Sequence, residues 1–150
     1  MKYRLNYISK ILLITITFTL LINVVSAQSV FVGKAGPEGR VLRKYILPSE
    51  LKKLVDSPVD SIWIIDVRSE KAYSNGHIPS ARSFPYGTIT SRLNEIPKDT
   101  YLILYCTVGA SAKIALKDLK KAGYKRTIDW GGISRWEWEK ATDLSLQPVK

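Results

Sequence analysis

Apolar positions along the chain fall into short continuous runs separated by helically periodic stretches. "SIWIIDV" (61–67) and "YLILYC" (101–106) are unbroken apolar runs carrying β-branched and aromatic residues, the pattern of strands covered on both sides. "RTIDWGG" (126–132) reads as a third, shorter strand. Between these runs the period changes. "LPSELKKLVDS" (47–57) sets Leu51, Leu54 and Val55 on one helix face, with Pro48 at its start and Ser49 as the expected N-cap. "SAKIALKDLKKAGY" (111–124) spaces Ile114, Leu116, Leu119 and Ala122 helically and stops at Gly123. "TSRLNEI" (90–96) predicts a short helix and "ISRWEWEKA" (133–141) a closing one. "SEKAYSNGHIPSARSFPYG" (69–87) predicts one helical turn and then a loop, punctuated by Asn75-Gly76, Pro79 and Pro85. Strands alternating with helices predict an α/β domain, a parallel sheet with helices on both faces.

Residues 28–42, "QSVFVGKAGPEGRVL", hold three glycines and a proline with little periodicity and read as a lead-in segment or strand. The first 27 residues have a different character. Lys2, Arg4 and Lys10 precede an apolar run from Ile11 to Val25, and "VSA" places small or apolar residues before Gln28. This is the layout of a secretory signal peptide. The apolar run is shorter than the roughly 20 residues of a membrane span. The expectation is therefore an exported protein, periplasmic or extracellular, with no stable membrane insertion after cleavage. No cysteine follows the run closely enough to carry a cleavage-site lipid.

Removing Lys2, Arg4 and Lys10 lowers the net charge from +10 to +7. Such an excess attracts anions in general. It points to nucleic acid only where basic residues meet a reading element, and Lys52, Lys53, Lys71, Lys113, Lys117, Lys120, Lys121 and Lys125 are scattered as on solvated helix faces. No nucleic-acid partner is expected.

Cys106 is the only cysteine. That excludes CxxC redox chemistry and any multi-cysteine metal site; with one histidine and scattered carboxylates, no metal or cofactor is expected. A buried packing thiol, an intermolecular disulfide and a reactive thiol stay open. In parallel sheets, ligands bind beyond the carboxyl ends of the strands, and Cys106 ends one. The loop Thr107, Val108, Gly109, Ala110 and Ser111 leads straight into a helix. Its backbone N–H groups are candidates to curl around the sulfur, with the helix's positive end behind them. Both effects favour a thiolate, which is the nucleophilic form. Gly109, Ala110 and Ala112 are small enough for the backbone to close around an anion.

"DVRSEKAYSNGHIPSA" (66–81) resembles the first signature of the rhodanese family, an Asp-Val-Arg stretch followed by Gly-His-Ile-Pro and a small-residue pair. "YCTVGASAKIALKDLKKAGYKRTIDWGGISRW" resembles the family's catalytic loop, its following helix and its closing signature at Gly131, Gly132 and Trp136. The motifs stand in the family's order, and the resemblance covers residues 43–141. The expected organisation is thus signal peptide 1–27, lead-in 28–42, rhodanese-like domain 43–141 and tail 142–150.

The resemblance implies a sulfurtransferase. Cys106 would take the outer sulfur of a small anionic donor such as thiosulfate, hold it as a persulfide within the loop 107–111, and pass it to cyanide, a thiol or a partner protein. Ser111 departs from the arginine frequent at that position and brings a hydroxyl without charge. Asp66 and Arg68 match the Asp-Val-Arg pair. Arg68 would either attract an anionic donor or form a structural ion pair, and Asp66 is expected to be structural, since a carboxylate repels an anion. His77, in the Gly-His-Ile-Pro turn, is read as a packed loop histidine, and Trp130, Trp136 and Trp138 as packing residues. A Cys-x5-Arg phosphatase or arsenate reductase is disfavoured, because no arginine follows Cys106 before Arg126. A non-turnover persulfide carrier or a rhodanese-like interaction module remains the alternative.

Overall fold

The computed structural model describes residues 37–142. The expected signal peptide 1–27, most of the expected lead-in (28–36) and most of the expected tail (143–150) lie outside the described residues. Four strands, β1 (Ile62–Asp66), β2 (Arg82–Ser83), β3 (Tyr101–Cys106) and β4 (Thr127–Gly132), form one parallel sheet in the order β2-β1-β3-β4. Because β2 lies on one side of β1 and β3 on the other, the order reverses beside the ends of β1 and β3. Asp66 and Cys106 are the residues that end those two strands.

Alternation along the strands separates two cores. Ile64, Ile103, Tyr105, Ile128 and Trp130 pack on one face beneath helix α1 (Pro48–Asp56) and the 3-10 segment Pro37–Ile46. Ile65, Leu102, Leu104 and Cys106 pack on the other, against helix α3 (Ala110–Lys121) and the 3-10 segment Ile89–Glu95. Helix α2 (Glu70–Ser74) is the one predicted turn after β1, capped by Ser69, whose side chain accepts the Ala72 N–H.

Several expectations are corrected. Pro37–Ile46 is helical rather than a lead-in strand, so the folded part begins before residue 43. Gly39, Leu42 and Tyr45 are its buried positions, spaced by three as a 3-10 turn demands. Helix α1 is not capped by Ser49: Pro48 takes the first helical position and Leu47 stands at the cap without a side-chain bond. On α3 the buried stripe is Ala112, Ala115 and Leu119, whose small residues let the helix sit close to the sheet, and Ile114 faces outward. Its end follows the expectation. Gly123, at φ +91°, donates to Lys120 O, and Tyr124 donates to Leu119 O.

Strand β2 was absent from the sequence reading, because two residues carry no periodicity. Strand β4 is as long as β3, not shorter. The closing helix is a single 3-10 turn, Ile133–Arg135. Beyond it, Trp136 turns extended and rests against Trp138, ring centroids 4.9 Å apart, and the chain pairs antiparallel with the earlier loop through two bonds between His77 and Ala141. Those tertiary bonds outweigh the helical spacing of "ISRWEWEKA".

Candidate active site

The candidate site is built from the end of β3. Cys106 is 3% exposed, at the rim of the core that α3 covers. The chain then leaves the sheet through Thr107 and Val108, both exposed, and Gly109 turns it into α3. Gly109 has φ +101°, a left-handed conformation that costs a side-chain-bearing residue about 1–2 kcal/mol. In that geometry its N–H donates to Cys106 Sγ at 2.9 Å. A donor aimed at the sulfur stabilises negative charge there. Helix α3 has no side-chain cap, so no side chain competes for the N–H groups of its first turn. Ala110 is exposed and Ser111 half-buried in that turn.

What holds this loop is β4. Its register slips by one residue between Leu104 and Tyr105, so Asp129 pairs with Leu104 and Gly131 with Tyr105, leaving Trp130 as the bulged residue. Asp129 Oδ1 accepts the Gly131 N–H at 2.8 Å and steadies the bulge. Gly132 thereby comes to lie opposite Cys106. A Cβ on Gly132 would stand 2.6 Å from Thr107 O and 3.0 Å from Val108 Cα. The loop thus rests directly on glycine backbone, and that contact sets how far it can fold back over the sulfur.

Arg135 braces the same bulge from beneath. It donates to Trp130 O and, at 2.6 Å, to Ile46 O, and burial lowers its pKa. The sequence reading found Gly131, Gly132 and Trp136 as a signature but gave the glycines no steric role, and it missed Asp129 and Arg135. A Gly-Gly pair ending a strand was the available signal.

Asp66 and Arg68 stand at the end of β1 but do not open toward the sulfur. Arg68 Nε and Nη2 grip the Asp66 carboxylate, with 2.6 Å for the shortest contact, and Nη2 also donates to Gly76 O at 2.7 Å. The Arg68 side chain is 10% exposed and the Asp66 side chain 0%. Burial works to lower the Arg68 pKa, but bonding to Asp66 outweighs it and the net shift is upward. The pair is engaged within the fold rather than open to solvent. It anchors the Gly-His-Ile-Pro loop to the sheet.

The same loop is held by Tyr105, fully buried on β3, whose hydroxyl oxygen accepts the Ile78 N–H at 3.1 Å. Burial, with Asp66 nearby, pushes the Tyr105 pKa far up, so the hydroxyl stays neutral. His77 is buried, stacked 3.7 Å from Tyr73 and within 3.0 Å of Tyr73 O through Nδ1. Trp130 lies in the core, edge-on to Tyr105. Among the described residues, no cluster of side chains has the makeup of a metal site.

A parallel sheet with a lone cysteine ending a central strand, looped onto the N-terminus of the next helix, places a thiol where parallel sheets bind their ligands. The chain belongs to the rhodanese-like domain family, whose model matches residues 47–139. It is 34% identical over 86 residues to a sulfurtransferase of Allochromatium vinosum, a match covering 57% of this chain and 78% of that one. It is 33% identical over 88 residues to YrkF of Bacillus subtilis, a protein described as a candidate sulfur carrier, of which the chain spans only 47%. A rhodanese-like domain protein from Staphylococcus aureus superposes with a TM-score of 0.56 at 26% identity, over 64% of this chain and 94% of that one. The family is one of sulfurtransferases and sulfur carriers, and transfer of sulfur is the general activity it brings.

Proposed function

We propose that the chain transfers sulfane sulfur through a persulfide on Cys106, from a small anionic donor such as thiosulfate to a thiol or cyanide acceptor. The observation that carries this reading is the Gly109 N–H aimed at Cys106 Sγ, at the uncapped start of α3. The Cys106 thiolate attacks the donor's outer sulfur, a new S–S bond forms, and the bond to the sulfonyl group breaks with its electron pair leaving on sulfite. The persulfide's terminal charge then sits on the added sulfur, about 2 Å beyond Sγ, for the N–H groups of the loop and the first turn of α3 to stabilise. An acceptor thiolate or cyanide attacks that outer sulfur, and the S–S pair returns to Cys106. Two transfers at one sulfur replace one difficult step, and fixed backbone dipoles stabilise the charge in both.

Neither Arg68 nor Arg135 is free to bind the donor, and Ser111 brings no charge. Attraction of the anion in this reading falls to backbone donors and to the chain's net charge. The N-terminal segment would direct export and be removed before Gln28.

Steady-state kinetics with thiosulfate and cyanide test the proposal. Double-reciprocal plots should be parallel, the signature of a covalent intermediate released between substrates, and Cys106→Ser should abolish turnover. Intersecting lines, or turnover that survives Cys106→Ser, would contradict it. A single sulfur loaded per chain with no catalytic cycle would instead favour the carrier reading that YrkF suggests.

A further inference from the structure

Helix α3 begins one residue after Gly109, whose N–H contacts the sulfur, and its outward face is basic. Lys113, Lys117 and Lys120 form one exposed row at spacings of four and three. The row spans about 10 Å at an α-helical rise of roughly 1.5 Å per residue. Among the described residues these three have no anionic partner. The single acid of α3, Asp118, lies 3.7 Å from Lys121 instead. Two large apolar side chains of the loop and helix also stand in the open: Val108 in the loop, 79% exposed, and Ile114 on α3, 50% exposed. Neither fills the core, which Ala112, Ala115 and Leu119 complete on the opposite side of the helix.

We infer that this face is the docking surface for an acidic protein acceptor, which presents its thiol to the Cys106 persulfide. The inference rests on the sulfurtransferase reading and names its acceptor class. Charge complementarity identifies the partner: three unpaired ammonium groups in a row select carboxylates, and the exposed Val108 and Ile114 add apolar contact area. An anionic membrane fits less well, because a helix lying in a bilayer needs a broad apolar face, and that face of α3 is spent on the sheet. Burial of Cys106 adds a geometric demand. An acceptor thiol must reach past Thr107 and Val108, so it comes on a projecting segment. The step balances: the acceptor thiolate attacks the outer sulfur of Cys106–S–SH, the new S–S bond forms, and the old one breaks with its pair returning to Cys106 as thiolate.

The test uses the full chain loaded with sulfur and three synthetic peptides of equal length. Each carries one cysteine, flanked by glutamates, by neutral residues or by lysines, and 2-mercaptoethanol serves as the small thiol. Transfer to the acidic peptide should exceed transfer to the neutral one by about tenfold at low salt and converge with it at high salt. In the triple variant Lys113→Glu, Lys117→Glu and Lys120→Glu the preference should invert toward the basic peptide, while transfer to 2-mercaptoethanol stays at the wild-type rate. Equal rates for all three peptides, or an acidic preference that survives the triple variant, would overturn the inference. So would equal peptide rates accompanied by Lys-dependent binding to phosphatidylserine vesicles, which would assign the face to lipid. Failure to load sulfur or to transfer it to 2-mercaptoethanol would instead strike the sulfurtransferase reading itself.

Discussion

Gly132 carries the steric condition of the site. A methyl group there would fall 2.6 Å from Thr107 O, a backbone atom that cannot swing aside. Gly132→Ala should therefore shift the loop and misplace the Gly109 N–H, slowing sulfur loading by roughly 100-fold while costing about 1–3 kcal/mol of stability. A variant that loads sulfur at the wild-type rate would show that the loop does not depend on this contact. Tyr105 makes a second prediction at this scale. Its proton is released near pH 10 in the unfolded chain, at the ordinary value of 10.0, but is retained by burial in the folded one. Its contribution is fully present below about pH 10 and declines as pH rises above that. Tyr105→Phe should flatten this alkaline limb in denaturant melts. It should also lose about 1–3 kcal/mol at neutral pH, because Ile78 N–H is left without its acceptor. Unchanged stability at both pH values would refute the role. Cys106 was legible in the sequence because its residue type and place at a strand end point to chemistry. Gly132 was not, because a glycine chosen for a distance of approach leaves no trace in hydrophobic pattern.

At the scale of elements, the Asp66–Arg68 pair joins the end of β1 to the loop at Gly76. Arg68→Ala would strand a fully buried carboxylate, which costs about 3–5 kcal/mol. Urea unfolding should show that loss. A loss of turnover with stability intact would instead make Arg68 a substrate ligand. The long strands and helix α3 were readable because each buries a face with its own period. Reading failed where tertiary bonds decide. The stretch "ISRWEWEKA" has helical spacing, yet its backbone goes to His77 and its Trp136 to the core. Ile114 fitted the apolar pattern of α3, but alanines at 112 and 115 turned the close-packing side of the helix elsewhere.

For the whole molecule, the α/β class followed from alternation of strand and helix, and the strand order places the two motif-bearing strand ends side by side. The start of the domain did not follow. Residues 28–42, with three glycines and a proline, read as a lead-in segment or strand, while Leu42 and Tyr45 belong to the core and Arg135 ties Ile46 to β4. Two distant segments, the 3-10 turn at 37–46 and the bulge at Trp130, thus brace the support of a loop that neither sequence segment mentions.

The most direct measurement is the intact mass of the chain before and after exposure to thiosulfate, beside Cys106→Ser. The account predicts a gain of one sulfur atom, removed by a reductant, on the wild type alone. No gain on the wild type, or an equal gain on Cys106→Ser, would contradict it.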